Sequence, residues 1–113
     1  MQKLEVFGAN KLKGQVIISG SKNASLPILA ATLLSKKKVL LKNLPKVKDI
    51  ETMINLLKSL GSKIKFLNQN LIIDNSKQNK KFASYNLIKT FRGGFLVLGP
   101  LLAKFGYAKV SLP

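Results

Sequence analysis

An α/β fold is predicted by three features of the 113-residue chain. Short apolar runs alternate with longer segments of helical period. Two of those segments carry apolar stripes, one at Leu26, Leu29, Ala30, Leu33 and Leu34 and one at Ile50, Met53, Ile54 and Leu57. A hairpin pattern and a polar linker follow the second stripe, so strands and helices are interleaved rather than segregated. Hydrophobic residues make up 46% of the chain, enough for the core of one small domain.

Taken in order, Leu4 to Phe7 and Gln15 to Ser19 read as strands joined by the polar connection Gly8 to Gly14. A helix from about Asn23 to Ser35 follows, its start dated by Pro27, which lacks an N–H and is tolerated only near a helix start. Val39 to Lys42 is the next strand. Asp49 reads as the N-cap of the helix bearing Ile50 to Leu57, and Gly61 is placed to end it. Ser62 to Leu67 and Leu71 to Asp74 form a hairpin around Asn68-Gln69-Asn70. A polar linker from Asn75 to Ala83 leads to a helix from about Tyr85, which carries Gly93-Gly94 and breaks or kinks at Gly99-Pro100; Val110 opens a last strand.

The turn Ile18-Ser19-Gly20-Ser21-Lys22-Asn23 delivers a lysine and an asparagine to the mouth of the first helix. Unpaired backbone N–H groups there favour a phosphate or carboxylate, and Lys22 adds a full positive charge. On spacing alone a solvated lysine beside an ordinary helix start fits as well, because every helix has such an N-terminus.

Ser19-Gly20-Ser21-Lys22-Asn23-Ala24 followed by Leu26-Pro27-Ile28-Leu29 resembles the start of the UDP-N-acetylglucosamine enolpyruvyl transferase family. Asn43-Leu44-Pro45-Lys46-Val47-Lys48-Asp49-Ile50 resembles that family's Asn-Val-Pro-x-x-x-Asp-Ile/Val segment, and Tyr85-Asn86-Leu87-Ile88-Lys89-Thr90-Phe91-Arg92 its Tyr-Asp-Leu-Val-Lys-Thr-Met-Arg. Leu98 to Gly106 and Val110 to Pro113 complete the match, which runs in order through the whole chain without large insertions. The fold implied is part of an inside-out α/β barrel of βαβαββ units with helices in the domain centre. Residues 1–20 would be two strands of a first, discontinuous domain, and residues 21–113 the amino-terminal part of a second. Family members are several times longer, so a fragment of that plan is expected, ending where the family continues into the Gly-Gly-Cys loop that bears its proton-donating cysteine.

The activity implied is transfer of enolpyruvyl from phosphoenolpyruvate to the 3′-hydroxyl of UDP-N-acetylglucosamine, a step of peptidoglycan precursor synthesis in the cytoplasm. Lys22 and Asn23 match the residues on the phosphoenolpyruvate side, and Arg92 the arginine that reaches anionic groups on the UDP-N-acetylglucosamine side. Arg92 is the chain's only arginine, and its planar fork suits bidentate phosphate contact in a way lysine does not. Gly93-Gly94 departs from the small Ala-Ser-like pair common in the family. In a helix each glycine would cost about 1 kcal/mol against alanine and loosen the backbone aiming Arg92.

No residue of this chain is assigned the proton transfer, since its acids are only Glu5, Asp49, Glu51 and Asp74, read as strand-surface, helix-start and strand-end residues. The isolated chain is therefore expected to be inactive, with a complementary carboxyl-terminal fragment as a possible partner; no cofactor is implied. The related shikimate-pathway enzyme also places Gly-Ser-Lys before a helix, but continues Ser-x-Ser-x-Arg where this chain has Asn23-Ala24-Ser25-Leu26-Pro27.

The net charge of +16 would draw the chain to any polyanion. Yet 19 of its 20 basic residues are lysines scattered over nearly every segment. The densest run, Lys36 to Lys48, is broken by leucine-rich stretches, and aromatic content is 7%, with no base-stacking strand signature. Specific nucleic-acid binding is not expected; a non-catalytic polyanion-binding module remains the alternative of a different class. With neither cysteine nor histidine, the chain can build no disulfide and no thiolate or imidazole metal site. The longest apolar run, Phe95 to Ala103, is half of the ~20 residues a spanning helix needs, and Glu5 and Asn10 to Lys13 interrupt any export signal.

Overall fold

The computed structural model describes residues 2–83, 85–89 and 91–111. Thr90 of the third resemblance segment and Leu112-Pro113 after the predicted last strand lie outside the described residues. The interleaved α/β order is observed. Helix α1 (Lys22–Ala31) runs on as a 3₁₀ turn (Thr32–Leu34) into β1 (Val39–Leu41), then α2 (Lys48–Ser59), β2 (Lys63–Leu67) and β3 (Asn70–Asp74). After the linker come β4 (Phe82–Ala83), α3 (Tyr85–Ile88), a 3₁₀ segment (Arg92–Val97), α4 (Leu98–Phe105) and β5 (Lys109–Val110).

β3 is the centre of an antiparallel sheet of order β1-β3-β2, in register Val39↔Ile73↔Ile64 and Leu41↔Leu71↔Phe66. Period-2 alternation then sorts the two faces: Leu71 and Ile73 are buried, while Leu40 and Ile72 on the other face are exposed. The helices cover the buried face. Leu26, Leu29, Ala30 and Leu33 of the first stripe and Ile50, Met53, Ile54, Leu56, Leu57 and Leu60 of the second form one core with Ile88, Val97 and Leu101. A second, parallel pair joins β4 and β5. The described residues form no closed barrel.

Helix α2 ends as its sequence requires. Gly61 takes φ +106, Ser62 N–H donates to Leu57 O at 3.0 Å and Gly61 N–H to Lys58 O at 3.0 Å, a Schellman closure that a residue with a Cβ would strain. Its start differs from expectation. Val47 holds the cap position without a side-chain bond, and Asp49 lies one residue inside the helix, in its first turn. The carboxylate is thereby freed from capping.

Three other expectations are corrected. Leu4 to Phe7 and Gln15 to Ser19 are not strands: residues 2–20 pair with no other segment, and Leu4, Leu12 and Ile17 are over 90% exposed. A strand exists only through the ladder it shares, and these residues join none with any described segment, although β1 and β2 are the edge strands of their sheet. The helical tract after Tyr85 breaks after Ile88 rather than at Gly99-Pro100, which fall in the first turn of α4, where a missing N–H costs nothing.

The linker is polar but not free. Asn75 and Gln78 are buried. The Asn75 amide donates to Thr32 O at 2.9 Å and accepts from the Ser62 hydroxyl. The Gln78 amide donates to Leu60 O and Lys80 O at 3.1 and 2.7 Å and accepts from Lys104 Nζ at 2.8 Å. Partial burial, with Lys36 nearby, pulls the Lys104 ammonium below its ordinary pKa.

Candidate functional site

Ser21 caps α1: its extended backbone (φ −91°, ψ 127°) turns the hydroxyl to accept from Ala24 N–H at 3.2 Å, and its carbonyl takes the first helical bond, from Ser25 N–H at 3.0 Å. The N–H groups of Lys22 and Asn23 precede that first bond and have no helical acceptor. Pro27 lies in the second turn, slightly deeper than expected, and cannot donate to the Asn23 carbonyl. Lys22 and Asn23 thus open the helix as anticipated, and both are exposed.

The opposite wall is the segment Asn43 to Asp49. Asn43 adopts φ +61, tolerated by its short polar side chain, and its Nδ2 donates to Ile18 O at 3.3 Å. Leu44 N–H is anchored on Gln69 O at 2.8 Å. The Asn43 carbonyl sits where a Cβ on Gly20 would be, so only glycine allows this backbone approach. Two resemblance segments far apart in sequence are thereby in contact.

A side-chain link joins the same walls. Lys22 Nζ lies 3.1 Å from Asp49 Oδ2, the one salt bridge among the described residues. With side chains 45% and 42% exposed it is a solvated pair, contributing about 0–1 kcal/mol to stability. Asp49 also faces the positive end of its own helix. This pair was not legible in the sequence, where Asp49 reads as a cap. The pairing of the two motifs is the signal that could have suggested it.

Arg92 opens the 3₁₀ segment that packs against α1, and is exposed, with no salt bridge among the described residues. The expected loosening by Gly93-Gly94 is corrected, because this stretch is not α-helical. A Cβ on Gly93 would strike the Phe91 ring, and one on buried Gly94 would press on Ile88 and Leu56. The glycines let the Arg92 segment lie close on the core. A surface concavity of about 340 Å³, lined by Phe82, Ala83, Tyr107, Lys109 and Ser111, shares no residue with this mouth. Among the described residues no three acidic groups gather as metal ligands, and no helix is long and apolar enough to cross a membrane.

This architecture is that of the enolpyruvyl transferases. The sequence profile of EPSP synthase (3-phosphoshikimate 1-carboxyvinyltransferase) matches residues 6–113, and the chain belongs to that family. Within it, the chain is 75% identical over all 113 residues to the UDP-N-acetylglucosamine 1-carboxyvinyltransferase of Pelagibacter ubique. It is 52% and 50% identical to the proteins of the same name from Thermodesulfovibrio yellowstonii and Yersinia pestis. The chain spans 27% of the length of each of these relatives. The crystal structure of the enolpyruvyl transferase NikO from Streptomyces tendae shares the fold, with a TM-score of 0.74 at 21% identity over 89% of this chain and 24% of that one.

Proposed function

We propose that this chain is the amino-terminal part of an enzyme that transfers enolpyruvyl from phosphoenolpyruvate to the 3′-hydroxyl of UDP-N-acetylglucosamine, for peptidoglycan precursor synthesis in the cytoplasm. The observation that carries the reading is the 75% identity along the whole chain to a protein of that name. In this reading Lys22 and Asn23 bind phosphoenolpyruvate: the ammonium and the helix-mouth N–H groups offset phosphate and carboxylate charge, and the Asn23 amide orients the substrate by donating and accepting. Arg92 serves the UDP-N-acetylglucosamine side. The 3′-hydroxyl gives its proton to a base as its oxygen bonds to C2, and the C2–C3 π electrons take a proton at C3, forming a tetrahedral ketal. Loss of phosphate and of a C3 proton then yields the enol ether. This chain's share is binding and orientation; the proton comes from elsewhere in the polypeptide. Residues 1–20 belong to the first domain of that whole, and residues 21–113 to the second.

The test is a chimera in which this chain replaces the matching 27% of the Pelagibacter ubique protein. Phosphate release should require both substrates. Lys22→Ala should lower it by about 10²–10³-fold, as loss of a positioned charge in a cleft does, and Lys37→Ala should leave it unchanged. Equal effects of the two changes would refute the site. The 113-residue chain alone should release no phosphate. Tight, steeply salt-dependent binding of nucleic acid with no response to either substrate would favour the polyanion-binding alternative suggested by the +16 charge.

A further inference from the structure

We propose that Asp49 is a positioning residue for Lys22, holding its ammonium in the mouth between α1 and α2 while the site is free and yielding it to the phosphate or carboxylate of an arriving substrate. The inference rests on the reading of Lys22 as the phosphoenolpyruvate lysine.

Charge statistics make the pair informative. The chain has 19 lysines and four acids, Glu5, Asp49, Glu51 and Asp74, yet among the described residues a salt bridge forms only at Lys22. Asp49 has no need of a lysine for its own helix, since a first-turn carboxylate is already favoured by the helix dipole. Nor is it spent on capping, because Val47 occupies that position.

The geometry of the pair is set by backbone. Gly20 against the Asn43 carbonyl, Asn43 Nδ2 on Ile18 O, and Leu44 N–H on Gln69 O fix the two walls on either side of the pair. Lys22, the first residue of α1, is thereby tied to the first turn of α2, and the carboxylate competes for its ammonium with any anion arriving at the helix mouth. Exposure of both side chains keeps the contact weak and reachable, so a doubly or triply charged ligand can displace a single carboxylate.

Competitive amine labelling of the 113-residue chain, read by mass spectrometry at Lys22 and at Lys37, tests this with phosphoenolpyruvate as the probe. Asp49→Asn should raise Lys22 labelling by about two- to five-fold, the range expected for an exposed pair, and lower the phosphoenolpyruvate concentration that half-protects Lys22. Lys37 should not respond, and Asp49→Glu should restore the parent pattern. Glu51→Gln removes a charge from the same helix turn without touching Lys22 and should change neither readout. If protection is seen but Asp49→Asn leaves labelling and half-protection as in the parent, or if Glu51→Gln mimics it, the positioning role is overturned while the substrate lysine stands. Absence of protection in every variant overturns the reading of Lys22 itself, and this inference with it.

Discussion

Residues 2–20 and residues 21–111 are built from similar sequence and end in opposite states. The arm carries Leu4, Val6, Phe7, Leu12, Val16, Ile17 and Ile18, each at least 77% exposed, whereas Leu29, Leu33, Met53, Leu56 and Leu57 in the body are fully buried. Apolar content alone does not decide burial. The body's stripes recur at helical period and meet each other and a three-stranded sheet, while the arm's residues alternate along a chain with no ladder to join. A lone pair of strands would in any case be marginal in water.

The largest expected contrast lies in amide exchange. Arm amides should open at almost no free-energy cost and α2 amides only with global unfolding, read by hydrogen exchange on the monomer. Uniform strong protection across both would break the comparison. Core truncation comes next. Leu57→Ala should cost about 2–5 kcal/mol in urea unfolding, by lost transfer energy and a residual cavity, and Ile17→Ala almost nothing. Glycine sharpens the boundary between the regions: Gly20→Ala must push the Asn43 carbonyl aside and should cost about 1–3 kcal/mol, whereas Gly8→Ala meets open space and should be neutral. Comparable costs at the two positions would mean that the arm is not anchored where it enters the body.

A comparable effect is expected in the linker. Gln78→Ala leaves the carbonyls of Leu60 and Lys80 without their side-chain donor and should cost about 1–3 kcal/mol. The smallest concerns Asp74. The Ser76 hydroxyl and backbone N–H, helped by Lys38 and Lys63, hold this carboxyl below its ordinary value of 3.8. Folded Asp74 therefore binds a proton less readily than unfolded Asp74. Its stabilisation is present above 3.8 and is lost as pH falls through the lower folded value. Asp74→Asn should remove this small contribution at neutral pH and flatten the acid limb of the stability curve slightly, leaving stability unchanged below the folded value; an equal loss at low pH would show a role beyond the ionised carboxylate.

Local patterns carried most of the body's elements. The apolar stripes located α1 and α2, Gly61 with its positive φ marked the end of α2, and alternation gave β2 and β3 across the short turn at Asn68 and Gln69. The helix mouth at Lys22 and Asn23 was legible to within a turn, because a proline constrains a helix start from nearby, although Pro27 lies one turn deeper than expected and the Ser21 cap was not anticipated. These features depend on neighbours in the chain, so sequence alone determines them. What required tertiary structure depends on distant partners. The arm is not strand because it joins no ladder with any described segment, and Gly93-Gly94 serve close packing on Phe91, Ile88 and Leu56 rather than loosening a helix. Asn75 and Gln78 are buried because Thr32, Ser62, Leu60 and Lys104 satisfy them. Asp49, one residue inside its helix, faces Lys22 only because the Gly20–Asn43 contact brings two segments together, and no local preference encodes which of 19 lysines a carboxylate will meet.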